Sequence, residues 1–388
     1  MGSTTSRRNF LQAGLMMPVA GAGMGFFRPA DGPAAKGTGA PPKLETRVLG
    51  RTGLKVTTVG FGCMITSDGS VIERAVDAGI NYFDTARGYQ NGNNERMVGV
   101  ALGANRKKVV LSTKSHAPDK KTMLEHIDKS LKELGTDYVD IWYQHARSKT
   151  EEITDETIEA QLLAKQQGKT RFIGVSTHSG QQQLIPWMVD KKVFDVVLAA
   201  YNFSMDATMV QAINAAAKGG MGVVAMKVMA GGPRRVKSDA QLSQKLAQPG
   251  ALLAALKWVI KDPNVATTIP SITDMDQLDE NLTAMAAPWS KTEERILAAH
   301  LEEIRPLYCS LCGACDGQCR QGLPVHDVLR ILSYADGYGQ FALARERFLE
   351  LSAAHQAVRC GDCAACTVNC PKGVQVRERV SRAQELLA

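Results

Sequence analysis

The sequence predicts an α/β chain in which a (β/α)8 barrel is followed by a small, mainly helical domain. Between residues 44 and 292, short apolar, β-branched runs alternate eight times with longer helical stretches, the pattern of repeated βα units. Eight of the nine cysteines then fall after residue 300, in two copies of one spacing. At 388 residues and 44% hydrophobic, the chain is long and apolar enough to bury the cores of two or three domains.

The strands are expected at 56–63, 81–86, 108–114, 138–145, 171–178, 195–203, 222–227 and 265–271. Eight such units close a barrel. Residues 46–57 read as a hairpin that closes its bottom. A doubly wound open sheet is the alternative, but it wants a Gly-rich phosphate turn after the first strand, and Gly60-Phe61-Gly62 is too short for one. Cys63, in an apolar run, reads as a small packed hydrophobe.

The formal charge of +7 is spread along the chain without basic runs interleaved with aromatics, so nucleic acid is excluded as a partner. No stretch reaches the roughly 18 apolar residues of a membrane-spanning helix, so no integral membrane segment is expected. At the N-terminus, Arg7-Arg8-Asn9-Phe10-Leu11 and the mildly apolar run at 13–27 resemble a twin-arginine export signal, which implies a periplasmic destination. Residues 28–43, rich in Gly, Pro and Ala, read as a linker.

Each cysteine run reads C-x-x-C-x-x-C-x-x-x-C: Cys309, Cys312, Cys315 and Cys319, then Cys360, Cys363, Cys366 and Cys370, the last followed by Pro371. Three thiolates from one tight loop can wrap three corners of a 4Fe-4S cube, and the fourth must come from elsewhere. A disulfide framework and paired zinc sites are the alternatives, and neither needs two copies of this spacing. The spacing resembles that of two-cluster ferredoxins, and residues 293–388 would form a helical domain of that type. The resemblance implies two 4Fe-4S clusters that exchange their fourth ligands. Cys309, Cys312, Cys315 and Cys370 would hold one, and Cys360, Cys363, Cys366 and Cys319 the other. Arg320 stands where that motif has Pro.

Four polar residues mark the ends of consecutive strands: Asp84, with Tyr89 in the loop after it, then Lys114 and His145. Each alone has an ordinary structural explanation, as a cap, a loop aromatic, a surface charge or a core histidine. Together they suit carbonyl reduction. The alkoxide formed by hydride addition needs a proton, and a phenol with a pKa of about 10 is a poor acid at neutral pH. A lysine beside the phenol favours its ionised form, a carboxylate fixes that lysine, and an imidazole orients the carbonyl. The blocks FDTARGYQNGNNE, VLSTK and VDIWYQH resemble the aldo-keto reductase family, over about residues 46–287. The resemblance implies hydride exchange between NADP or NAD and a small carbonyl or alcohol, with Tyr89 as acid, Lys114 and Asp84 as its tuning pair and His145 orienting the substrate.

The same resemblance assigns Ser176, Lys227, Gly231, Ser271, Glu280 and Asn281 to the cofactor. Of the three groups that clamp the carboxamide in that family, only Ser176 is present. Thr177 stands where Asn is expected and Leu198 near the expected Gln. Asp274 and Asp276 would oppose a 2′-phosphate, so NADP and NAD both stay open. A nicotinamide moves two electrons and each cluster one. The alternative function is therefore a barrel scaffold whose cluster domain passes electrons to a redox partner protein.

Overall fold

The computed structural model describes residues 44–230 and 250–388. The signal segment, the linker, and Gly231 with Gly232 lie outside the described residues. Strands β1 (Thr46–Val48) and β2 (Lys55–Thr57) form the antiparallel hairpin. It sits at the bottom of the sheet, where the Arg51 amide donates to the Gly220 carbonyl at 2.7 Å, just before a barrel strand begins.

Eight parallel strands follow: β3 (Phe61–Gly62), β4 (Tyr82–Asp84), β5 (Val110–Ser115), β6 (Val139–Gln144), β7 (Thr170–Thr177), β8 (Val196–Ala200), β9 (Gly222–Met226) and β10 (Thr267–Thr268). They are hydrogen-bonded in that order. Parallel bridges between Val59 and Thr268 and between Gly62 and Ser271 join the last strand to the first, so the sheet closes into the expected barrel. Helices α1 (Gly69–Asp77), α2 (Asn93–Leu102), α3 (Lys120–Leu134), α4 (Asp155–Gln166), α5 (Gln181–Lys191), α6 (Ala207–Lys218), α7 (Ala251–Ile260) and α8 (Met275–Ala286) surround it. Several start on a side chain that accepts from an otherwise unpaired helix N–H: Asp68, Asp119, Thr154, Asp206 and Asp274.

Most strands are shorter than expected, and for three of them a local cause is visible. The first splits, because Thr58 donates its amide to Glu45 in the hairpin while Gly60 donates to Thr268 across the barrel seam. The sixth stops at Ala200, and the Asn202 side chain accepts from the Ser204 amide and turns the chain outward. The eighth is cut short by Pro270, which has no amide to donate.

The barrel interior is filled by Tyr82, Val110, Ile141, Tyr143, Val196, Leu198, Val224 and Ile269. A second apolar layer, including Phe83, Val98, Ile127 and Trp142, separates strands from helices, and the fully buried Cys63 belongs to it as a packed hydrophobe. Beyond the barrel lie α9 (Lys291–Ile304), α10 (Val325–Asp336), α11 (Phe341–Leu349), α12 (Ala353–Ala357) and α13 (Val376–Leu387). Their core is Val328, Leu332, Phe348, Val380 and Leu387, against which five of the cluster-type cysteines pack. Helix α11 ends at Leu349, and Ser352 caps the next helix, α12.

Leu311 joins the barrel-interior cluster, with Cys309 packed against it, so the first cysteine run plugs into the barrel. Lys372 pairs with Asp206 at 2.6 Å across the same boundary. Barrel and C-terminal helices form one compact unit. No described helix is long and apolar enough to cross a membrane.

The seam depends on close backbone approach. A Cβ at Gly62 would lie 2.6 Å from the Ile269 carbonyl oxygen. Gly62→Ala is therefore expected to destabilise the protein by about 1–3 kcal/mol, as overpacking does. Urea denaturation followed by circular dichroism checks this, and an unchanged midpoint would contradict the seam.

Candidate active site

Strand register sets the site. Asp84 lies opposite Ser112 on the neighbouring strand, and Lys114 opposite Tyr143. Asp84 and Lys114 therefore emerge side by side at the C-terminal end of the barrel, both about 1% exposed. Lys114 Nζ donates to Asp84 Oδ2 at 2.5 Å, to the Thr85 carbonyl at 2.7 Å and to Tyr89 Oη at 3.2 Å. The other carboxylate oxygen accepts from Ser112 Oγ at 2.6 Å. Ser112 in turn accepts from Tyr82 Oη at 3.2 Å, and the Tyr82 and Tyr143 hydroxyls lie 3.0 Å apart. The ion pair thus rests on a polar chain inside the barrel.

The loop that carries Tyr89 is pinned from several sides. Arg87 forms a buried ion pair with Glu95, and Gln90 Nε2 donates to the Thr66 carbonyl at 2.8 Å. Gln90 and Asn91 both adopt left-handed backbone conformations, with φ near 50° and 54°. Gly92 follows at φ 88°, where a Cβ would collide with the Arg87 guanidinium. From the C-terminal helices, Arg347 Nη2 donates to the Gly88 carbonyl at 3.2 Å.

His145 stands edge-on to Tyr89, with ring centroids 5.6 Å apart, and stacks on His116 at 3.8 Å. Burial, with help from His116 and Lys114, holds His145 well below its usual range. Burial also pushes His116 down to about 4. Both are neutral imidazoles at pH 7. The buried Nδ1 atoms of His145 and His178 have no hydrogen-bond partner among the described residues. A polar ligand would supply one.

Burial raises the Tyr89 phenol, and Lys114 offsets this only in part. Lys114 thus acts on the phenol in the expected direction, toward its ionised form, against the effect of burial. For Lys114, burial opposes the charge, but Asp84 and Tyr89 outweigh it and keep the ammonium.

A cavity of about 950 Å³ contains Asp84, Tyr89 and His145, and His116 and His178, which the sequence reading missed, also line it. Ser271, Asp274, Asp276 and Glu280 form one rim, Lys227 another, and Arg330, Tyr334, Tyr338 and Arg347 roof it. Asn281 is buried in α8, one residue beyond Glu280. Ser176 does not line the cavity: its hydroxyl accepts the Ala146 amide at 2.8 Å and shapes the loop after β6. Thr177 turns its hydroxyl to the Ser179 carbonyl, and Leu198 is buried in the barrel interior. Gly231 lies outside the described residues. His116 and His178 follow the third and fifth strands, so the rule that finds Lys114 and His145 also reaches them. The roof residues carry no such signal.

No disulfide joins any of the cysteines. Burial pushes Cys309 up to about 12, and the nearby Cys315, Cys312 and Cys370 add to the rise. Burial likewise lifts Cys360 to about 11, with Cys319, Cys366 and Cys363 adding. The thiols thus interact in two sets of four, and each set borrows one member from the other run. Thr367 Oγ1 and the Asn369 amide both donate to Gln318, at 2.7 and 2.8 Å, and tie the runs together.

The sequence profile of the Aldo/keto reductase family matches residues 67–302, ending before the first cysteine run. The uncharacterized oxidoreductase YqkF of Bacillus subtilis (strain 168) is 29% identical over 307 residues, spanning 68% of this chain and 98% of that protein. The holo form of aldo-keto reductase AKR11C1 from Bacillus halodurans is 26% identical with a TM-score of 0.57, over 66% of this chain and 96% of that one. An aldo-keto reductase from Klebsiella pneumoniae, solved in complex with NADPH, shares the fold at 24% identity with a TM-score of 0.55, over 66% of this chain and 94% of that one.

Removing one partner of the Lys114 and Asp84 pair leaves a buried unpaired charge and is expected to cost about 3–5 kcal/mol. Asp84→Leu combined with Lys114→Met should lose less than the sum of the single losses. Denaturation of all four proteins checks this, and strictly additive losses would contradict a coupled pair.

Proposed function

Because the chain belongs to the aldo/keto reductase family of oxidoreductases, we propose that it exchanges hydride between NADPH or NADH and a small carbonyl or alcohol. The carrying observation is the chain Asp84–Lys114–Tyr89 ending beside His145 in one cavity. The nicotinamide, when bound, supplies or accepts the hydride. The substrate oxygen sits between the Tyr89 hydroxyl and His145, and Tyr89 hands it the proton. Lys114 and Asp84 hold the phenol in place and steady the phenolate that remains.

Ser271 and Glu280 on the cavity rim suit the ribose and adenine end of such a cofactor. The carboxamide end lacks the family clamp, and the unpaired Nδ1 of His178, which lines the cavity, would offer a hydrogen bond there. The Klebsiella relative holds NADPH, whereas Asp274 and Asp276 on this rim weigh against a 2′-phosphate.

Two 4Fe-4S clusters belong to the same reading. Cys309, Cys312, Cys315 and Cys370 would hold one, and Cys319, Cys360, Cys363 and Cys366 the other. The two interacting sets of thiols support this. Each cluster would carry single electrons. A twin-arginine signal fits it too, since clusters are built in a reducing compartment and that route moves folded proteins. A second reading is favoured by the missing clamp and by Leu311 in the barrel: a scaffold whose clusters serve a redox partner protein.

Anaerobically purified protein is expected to carry about eight irons, and a content near four, unchanged by Cys319→Ser, would remove one cluster. It should oxidise NADPH or NADH with small aldehydes or quinones. Tyr89→Phe should lower that turnover by about 10²-fold or more while circular dichroism and nucleotide affinity stay as in the wild type. Retained turnover would contradict the role of Tyr89. Absent turnover in the wild type, with reversible cluster reduction, would favour the scaffold.

A further inference from the structure

Tyr89 must bring its hydroxyl to the Lys114 ammonium, and the backbone that carries it is strained. Gln90 and Asn91, directly after Tyr89, both take left-handed conformations, which residues other than glycine keep only where their surroundings hold them. Before Tyr89, two backbone bonds anchor the loop to the barrel. The Arg87 amide donates to the Lys114 carbonyl at 3.0 Å, and the Tyr89 amide donates to the Ala86 carbonyl at 3.1 Å. The peptide joining Gly88 to Tyr89 offers one further handle, its carbonyl oxygen. Arg347 Nη2 donates to it at 3.2 Å from the C-terminal helices. Packing adds little at this point, since a Cβ on Gly88 would meet only the edge of the His116 ring, at 3.9 Å.

Arg347 is itself fixed in direction. Its Nη1 donates to both carboxylate oxygens of Glu350, at 2.7 and 2.8 Å, and Glu346 Oε1 lies 3.6 Å from its side chain. A guanidinium presents its N–H groups in a rigid planar fork, so the arm set on Glu350 aims the other at Gly88.

We propose that Arg347 is a positioning residue for the reaction, holding the peptide between Gly88 and Tyr89, and with it the phenol, where proton transfer requires it. The proposal rests on the hydride-transfer reading above. A charge-assisted hydrogen bond one peptide away from Tyr89 limits how far the loop can drift, and a misplacement of about 1 Å can cost about 10²-fold in rate. Arg347 lies beyond residue 302, where the match to the family profile ends. The proton donor of the barrel is thus set by a part of the chain outside that match. Arg347 and Tyr89 line the same cavity. The competing role, in which Arg347 binds an anionic group of the substrate, is separated by the test.

The test uses the anaerobic, cluster-loaded protein with NADPH and two aldehydes, one neutral and one carrying a carboxylate. Arg347→Ala should lower kcat about tenfold or more with both aldehydes and leave each KM within about twofold, as the loss of an interaction felt only in the transition state requires. Added methylguanidinium should recover part of the lost rate. Hydrogen–deuterium exchange gives a reading that needs no turnover: the amides of residues 87–92 should exchange faster in Arg347→Ala than in the wild type, while those of α3 stay unchanged. Should Arg347→Ala not fold, Arg347→Lys, which lacks the fork, and Glu350→Gln, which loosens the arginine without removing it, are held to the same expectations in direction. An unchanged kcat overturns the positioning role, and so does a rise in KM confined to the carboxylate-bearing aldehyde. A wild type without turnover overturns the hydride reading. Unchanged exchange at residues 87–92 overturns the hold on the loop whatever the turnover.

Discussion

Burying an ammonium and a carboxylate together at the mouth of a barrel makes demands on everything around them. Each ion left alone would be several kcal/mol too costly to bury, so the pair of Lys114 and Asp84 persists only with its remaining hydrogen-bonding positions filled. Ser112, Tyr82 and Tyr143 fill one side from within the barrel, and the Thr85 carbonyl and Tyr89 hydroxyl fill the other. The register of β4, β5 and β6 follows from this requirement, since a slip by one residue would turn each of these side chains to the opposite face. The left-handed turn at Gln90 and Asn91 follows as well, because the loop must return the phenol to the ammonium.

The C-terminal helices are part of the same construction. Arg347 holds the Gly88 carbonyl beside Tyr89, Tyr334 and Tyr338 close the cavity, and Leu311 reaches into the barrel interior. The apolar Leu198 packs in the same interior cluster as Leu311. The first cysteine run is thereby packed against the barrel interior through Leu311 and Cys309.

Much of this was legible in the sequence, for physical reasons. A strand inside a barrel must be apolar and short, so its polar last residue stands out, and Asp84, Lys114 and His145 were found that way. Tyr89 came from its block spacing. The two cysteine runs stood out because few structures other than a cluster ask for that spacing twice. The exchange of the fourth ligand is implied only by resemblance. The roof was not legible. Arg330, Tyr334 and Arg347 sit on amphipathic helices, where arginine and tyrosine are ordinary, and only the packing of those helices over the barrel gives them a site to face. Ser176 has the expected identity yet serves the loop after β6, since a β-strand end offers a hydroxyl more than one partner.

The most direct test of hydride transfer in this cavity follows the label rather than the rate. NADPH carrying deuterium at both C4 positions is incubated anaerobically with the protein and an aldehyde, and the product alcohol is analysed by mass spectrometry. Direct transfer places one deuterium on the carbinol carbon, in ordinary water, and none in the Tyr89→Phe variant. Alcohol formed without deuterium would show that electrons reach the substrate by another path, and would contradict hydride transfer at the Asp84, Lys114 and Tyr89 site.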